Sequence, residues 1–355
     1  MDTAFLTYSL ILIGLALFVL LTAAAYSVYL ERKVSAWIQQ RSGPNRVGPF
    51  GLLQPLADVI KLLLKEDIIP VAADKLVHFI APIISVTVAL ITFAVIPFAK
   101  ADVAMTEGTS GWLVIADVNI GILYVLAIAS VAVYGVTLAG WASNSKYALL
   151  GGLRASAQMI SYELAMGLSV VSVILLTNTV YEGSEFLKPG AIVEAQRGVW
   201  NIVRNPLGFL LFTVCAFAEA NRAPFDLVEA EQELVGGFHT EYSSMKFALF
   251  FVAEYIHVIV ASMLITTLFL GGYLGPFESL IGVADWAPLA QLGWGLSWFL
   301  MKTTFFVFVF VWVRWTLPRF KYNQLMDIGW KKFLPLALIN LIVIAAGCAA
   351  YVLWS

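Results

Sequence analysis

The sequence predicts an all-α integral membrane protein, a bundle of about eight transmembrane helices with one further amphipathic helix lying at the membrane surface. Three observations lead there. Hydrophobic residues make up 61% of the 355 residues and charged residues only 12%, about half the charge of an ordinary soluble domain. Mean hydropathy is +0.87. The apolar residues fall in long continuous runs rather than alternating ones, and hydrocarbon admits only helices or closed barrels.

The runs lie near residues 4–30, 77–99, 113–140, 158–180, 206–220, 246–272, 286–312 and 333–354. The first has no basic n-region and is longer than a signal-peptide apolar region, so it reads as a retained first span. Most of the others approach the roughly 20 residues that a span needs. The fifth is the exception. After Pro206 only 12 apolar residues follow, from Leu207. At about 1.5 Å per residue they cover roughly 18 Å of a hydrocarbon core about 30 Å thick. Polar residues of the next segment are therefore expected within membrane depth. The whole chain, 1–355, reads as a single transmembrane domain.

Basic residues orient the bundle. Of 21 Lys and Arg, sixteen lie in alternate connections: 31–76, 141–157, fifth-to-sixth and seventh-to-eighth. The outward connections hold four, Lys100, Lys188, Arg197 and Arg204. This bias places the first set on the cytoplasmic side and both termini outside. The acids share the basic side, which suggests a docking face for another protein. The net charge of −2 says little about partners, and nothing points to nucleic acid.

Four features carry chemical information. In residues 31–67, Gly43, Pro44, Gly48, Pro49, Gly51 and Pro55 interrupt the chain. From Leu56 onward, Asp58, Lys61 and Lys65 share one helix face and Leu56, Ile60, Leu63 and Leu64 cover much of the other side. That pattern fits a helix in the interface plane, either as a surface anchor or as the rim of a cavity that a lipid-soluble molecule enters from the bilayer. The second feature is "AEANRAPFDLVEAEQELVGGFHTEY", which sets six acids against one base, Arg222. If helical geometry continued, Glu219 would pair with Arg222, and Arg222 with Asp226. Clustered carboxylates in reduced dielectric raise one another's pKa, which suits proton exchange near neutral pH. The third is a set of ionisable residues inside apolar runs, Glu163, Glu254 and Lys302, with His257 on the face of Glu254. Each is costly in hydrocarbon and is expected to face the bundle interior. The fourth is residues 314–333, where Arg314, Arg319 and Lys321 flank Pro318 and face either the acidic segments or anionic lipid.

Several chemistries have no support. Cys215 and Cys348 form no CxxC, and His78, His239 and His257 lack ligand spacing. The chain has no GxGxxG, no Walker A sequence, no haem-binding CxxCH and no iron–sulfur cysteine set. A redox role would need cofactors on another subunit.

The stretches "ERKVSAWIQQRSGPNRVGPFGLLQPLADVIKL", "AEANRAPFDLVEAEQELVGGFHTEY" and "LPRFKYNQLM" resemble the family of quinone-site membrane subunits of respiratory complex I (NADH:quinone oxidoreductase). The resemblance covers essentially the whole chain. It implies a proton-translocating enzyme subunit with no redox centre of its own, and a quinone substrate, ubiquinone being expected. FMN and iron–sulfur clusters would sit on partner subunits. Implied partners are the subunit bearing the last cluster, the 49-kDa-type subunit, small membrane subunits leading to antiporter-like subunits, and membrane lipids. Carried over residue by residue, the quinone chamber and portal would involve Arg32, Arg41, Asp58, Phe225, Asp226, Glu229, Glu231 and Glu233. Proton coupling would fall to Glu31, Glu163, Glu219, Arg222 and Glu254. The implied location is a bacterial inner membrane, with the mitochondrial inner membrane as the alternative. The alternatives in function are the corresponding subunit of a membrane-bound hydrogenase or ferredoxin-linked complex, and a secondary transporter, which broken helices and buried acids also suit.

Overall fold

The computed structural model describes residues 3–100, 112–181, 183, 185–226, 235–276, 278–283 and 286–354. The helices are α1 (Thr3–Ile38), α2 (Gln54–Leu64), α3 (Lys75–Thr92), α4 (Gly121–Ala142), α5 (Lys146–Val180), α6 (Pro189–Glu194), α7 (Asn201–Arg204), α8 (Pro206–Glu219), α9 (Ser244–Phe269), α10 (Pro288–Thr316) and α11 (Tyr322–Trp354). Seven of them are long and apolar enough to cross a membrane, and α8 is apolar but has only 14 residues. The expected all-α membrane bundle is what forms.

The short fifth span is completed by other elements. Asn205 caps α8, its Oδ1 accepting from Gly208 N at 2.9 Å. Ahead of it lie α6 and α7, with Pro189, Ala191, Ile192, Val193 and Asn201 buried. Buried polar groups there are satisfied internally, as hydrocarbon requires. Gln196 donates to Thr267 O at 2.9 Å and accepts from Asn201 N and Gly271 N at 3.1 and 3.0 Å.

Helix α9 is central. In its most apolar window 67% of residues are buried, against 11% for α1 and α11, which lie at the periphery. The main core joins α5, α8, α9, α10 and the start of α11 through Tyr162, Phe212, Phe217, Ile265, Phe269, Phe310 and Leu325. Phe217 and Phe310 stack with centroids 3.9 Å apart. Helices α3, α4 and α5 approach through small residues, the usual solution in lipid. A Cβ on Gly135 would overlap Ser85 Oγ, and one on Gly140 would lie 2.6 Å from Ala148 O.

Four boundaries differ from the sequence reading. Helix α1 runs on to Ile38, so Glu31, Arg32 and Lys33 are helical rather than part of a loop. Helix α5 begins at Lys146, so most of the expected 141–157 connection is helix. Both differences have one cause: Lys and Arg at a span's end extend to the interface without stopping the helix. The third span starts at Gly121, because residues before it form a two-residue antiparallel pairing, Ala99 with Leu113 and Lys100 with Trp112. The last span begins at Tyr322 and passes through a π-helical turn, Ile328–Phe333.

Candidate functional site

The end of α1 and the surface helix α2 meet on one side of the bundle. Arg32 Nη1 lies 2.6 Å from Asp58 Oδ2, and Gln54 Nε2 donates to Asp58 Oδ1 at 3.0 Å. The Arg32 and Asp58 side chains are 45% and 30% exposed, so water screens the pair and its role is positional. Tyr29 OH donates to Phe50 O at 2.7 Å. Gly51 has φ +81°, and a Cβ there would run into Pro44 O, so only glycine permits the turn into α2. The far end of α2 is tied to α9: Ser244 Oγ donates to Leu62 O at 3.0 Å, and Lys246 pairs with Asp67 at 2.8 Å. Leu56, Val59, Ile60, Leu63 and Leu64 stay exposed, the apolar face expected of an interfacial helix. Arg41 bonds only locally, Nε to Gln39 Oε1 at 2.7 Å, and does not join Arg32 and Asp58.

Behind this rim lies a buried charge network. Glu31 Oε2 is 3.2 Å from Arg222 Nη1 and accepts from Tyr255 OH at 2.8 Å. Glu31 Oε1 is 2.6 Å from Arg314 Nη1. Arg222 Nε is 2.7 Å from Glu254 Oε1, and its guanidinium lies 4.2 Å from the Tyr255 ring centroid. Two acids and two bases from α1, α9, α10 and the connection after α8 thus balance in charge. Arg222 and Glu31 are 3% and 6% exposed, deep enough that breaking a pair is costly. Burial opposes the charge on Arg222, but Glu254, then Tyr255 and Glu31, outweigh it and keep the guanidinium protonated. A void of about 10 Å³ beside the network, lined by Ser27, Glu31, Arg222, Tyr255 and Arg314, is the size of one water.

These pairings correct the spacing argument. The helix stops at Glu219 and Asn221 turns with φ +50°. Arg222 therefore reaches Glu31 and Glu254, while Asp226 reaches Arg319, Oδ2 to Nη2 at 2.7 Å. Phe320 N donates to Pro224 O at 3.1 Å. Phe225 packs between Tyr162 and Phe320, with centroids 5.3 and 5.6 Å away. Arg319 is thus a latch between the two connections. Replacing Arg319 with alanine is expected to speed amide exchange at Phe320 roughly tenfold, the equivalent of about 1.4 kcal/mol of local opening. Hydrogen-exchange mass spectrometry checks this, and unchanged exchange would rule out the latch.

Glu219 lines two interior cavities. One, of about 50 Å³, is also bordered by Asn221, His239, Glu254 and His257. The other, of about 30 Å³, is bordered by Thr92, Met166, His257 and Leu268. Both have polar groups and room for one or two waters, the conditions under which buried water is held. Burial lowers the pKa of His239 to about 4, so at neutral pH it is uncharged. Glu163, on α5, faces Ser130 of α4.

The structure brings Glu31, Arg222 and Glu254 into direct contact and sets Glu219 on a cavity shared with Glu254. Arg32 and Asp58 form a separate outer pair. Glu229, Glu231 and Glu233 lie outside the described residues. Tyr255 and His239 were not selected from sequence, although Tyr255 adjoins Glu254. Arg314 had two open readings, and the structure pairs it with an acid. Among the described residues no three His, Cys, Asp or Glu side chains gather in a metal-holding group.

Comparison with known proteins shows the family. The family described as NADH dehydrogenase matches residues 11–345. The NADH-quinone oxidoreductase subunit 8 of Rhodothermus marinus is 56% identical over 340 residues, covering 94% of each chain. The corresponding NADH-quinone oxidoreductase subunit of Salinibacter ruber is 53% identical over 94% of this chain and 93% of its own. That of Cytophaga hutchinsonii is 48% identical over 96% and 97%. With matches of this depth along nearly its whole length, the chain belongs to the NADH dehydrogenase family, whose relatives here are all subunits of NADH-quinone oxidoreductase.

Proposed function

We propose that this chain admits quinone from the bilayer into a proton-translocating NADH:quinone oxidoreductase, forms part of the quinone chamber, and couples quinone reduction to proton movement. Quinone passes the rim made by α1 and α2, where Arg32 and Asp58 fix the helix and Leu56, Ile60 and Leu63 face lipid. Partner subunits hold the FMN and iron–sulfur clusters. The subunit bearing the last cluster and the 49-kDa-type subunit close the chamber over the connections that carry Phe225, Asp226, Glu229, Glu231 and Glu233, with Arg41 on the exposed loop beside it. Reduction draws protons and changes the charge felt by Glu31. Arg222 transmits that change to Glu254. Glu219 and Glu163 carry it into the membrane arm, toward small membrane subunits and the antiporter-like subunits beyond. The chain acts as one domain of a bacterial inner membrane complex and is inactive alone.

The observation carrying this reading is that one buried arginine links an acid beside the surface helix to an acid on an interior cavity. A quinone bearing a photoreactive group, added to the assembled complex, is expected to label residues 31–67 and to be displaced by excess quinone. Absence of label there would remove the portal from the account. Ion movement by the isolated chain in liposomes would favour a secondary transporter instead.

A further inference from the structure

We propose that a cavity at the opposite membrane boundary binds the phosphate of an anionic phospholipid headgroup. Helix α9 starts beside the far end of α2, passes the charge network at Glu254 and Tyr255 and ends at Phe269, and the turn that follows forms one wall of this cavity, of about 600 Å³. Residues 197–203 and the start of α10 complete it. The volume is that of an ordinary small-molecule site.

Unspent donors line it beside the Glu278 carboxylate. Glu194 already accepts from Tyr273 OH at 2.6 Å and pairs with Lys100 at 3.1 Å and with Arg197. Three donors on one carboxylate favour its charged form. Glu278 Oε1 accepts from Gly275 N at 2.5 Å. On the donor side, the Trp294 indole N–H is buried with no acceptor among the described residues. The Arg197 side chain is 55% exposed, and Nη1 lies outside its bidentate hold on Glu194. Beneath the wall the Lys302 ammonium spends its three N–H groups on Leu270, Gly272 and Leu274 O and adds positive charge only. An acceptor-rich anion completes this set, and a phosphodiester presents two such oxygens.

The base distribution points the same way. The outward connections carry four bases. Lys100 and Arg197 line this one cavity, and Arg204, donating to Ala195 O at 3.1 Å, adjoins Val203 on its wall. Trp200 and Trp294 stand beside them, and Trp is the residue that favours headgroup depth. A Cβ on Gly275 would lie 2.8 Å from both the Trp294 and Trp298 indole nitrogens, so both indoles pack closely on the backbone wall there.

The test uses the assembled complex in nanodiscs containing phosphatidylglycerol with a photoreactive headgroup. Label is expected on peptides holding Trp200, Tyr273 and Trp294, and phosphatidylcholine at the same mole fraction should compete poorly. Trp294→Phe removes only the indole donor and should cut labelling at least roughly tenfold, the worth of one hydrogen bond to a charged acceptor. Arg197→Gln should cut it further. Labelling unchanged in Trp294→Phe, or equal competition by phosphatidylcholine, would overturn the proposal. Displacement by millimolar inorganic phosphate would also overturn it, by making this a site for a soluble anion. Quinone reduction is measured separately, so failure here leaves the quinone reading intact.

Discussion

Arg222→Met in the assembled complex is expected to lower stability by about 3–5 kcal/mol, as removing one partner of a buried pair does, and to cut quinone reduction at least roughly tenfold, or about 1.4 kcal/mol of barrier. The substitution takes away the cation that Glu31 and Glu254 share at 3.2 and 2.7 Å. Arg314 still pairs with Glu31 at 2.6 Å, so the loss falls mainly on Glu254. Without the guanidinium, Glu254 loses its charge partner at 2.7 Å, and its link to events at the quinone is expected to be lost. Arg222→Lys keeps the charge but not the planar fork, and an intermediate rate is expected. The double variant Arg222→Met with Glu254→Gln separates structure from function. Removing both partners restores part of the stability but not the turnover. If thermal denaturation of the complex and quinone turnover recovered together, the network would be structural only. Electron transfer to a water-soluble acceptor that bypasses the membrane arm serves as the control and is expected to be normal.

The other large effect is expected at Lys302. Its ammonium donates to Leu270 O, Gly272 O and Leu274 O at 2.6, 3.0 and 2.6 Å and lies 4.5 Å from the Trp200 ring centroid. It therefore closes the C-terminal end of the central helix, where unpaired carbonyls and the macrodipole both favour a cation. Lys302→Met keeps the reach of the side chain and deletes the charge. A loss of about 3 kcal/mol or more is expected, since each hydrogen bond to a charged group contributes roughly 1.5–3 kcal/mol and the contributions are not additive. The readouts are the yield of assembled complex and its melting temperature. The KM for quinone in the surviving complex should not change, because Lys302 lies about 18 Å along α10 from Arg314 of the network. Wild-type yield and melting temperature would show that the carbonyls find other partners.

The eight hydrophobic segments and the surface helix were legible because hydrocarbon leaves no other way to satisfy a backbone. The shortness of α8 could also be read, and the helix indeed has only 14 residues, ending at Glu219. What could not be read was which charge meets which. Arg222 has acids three and four residues away, yet its partners are Glu31, 191 residues distant, and Glu254. Spacing rules apply while a helix continues, and this one stops at Glu219. Arg314 shows the same limit: its choice between lipid and acid was settled by the packing of α1 against α10. Charges at span ends misled as well, since Lys146 and Glu31 lie within helices that extend past the hydrocarbon.

One carboxylate path is proposed to join quinone reduction to proton movement. Quinone turnover and proton translocation measured together, in liposomes holding the complex with Glu219→Gln, test it most directly. Glutamine keeps the size and hydrogen-bonding capacity of the side chain on the two cavities but cannot take up or release a proton. The account predicts that both rates fall together, and that an uncoupler does not restore turnover. Wild-type turnover with wild-type proton translocation would contradict it.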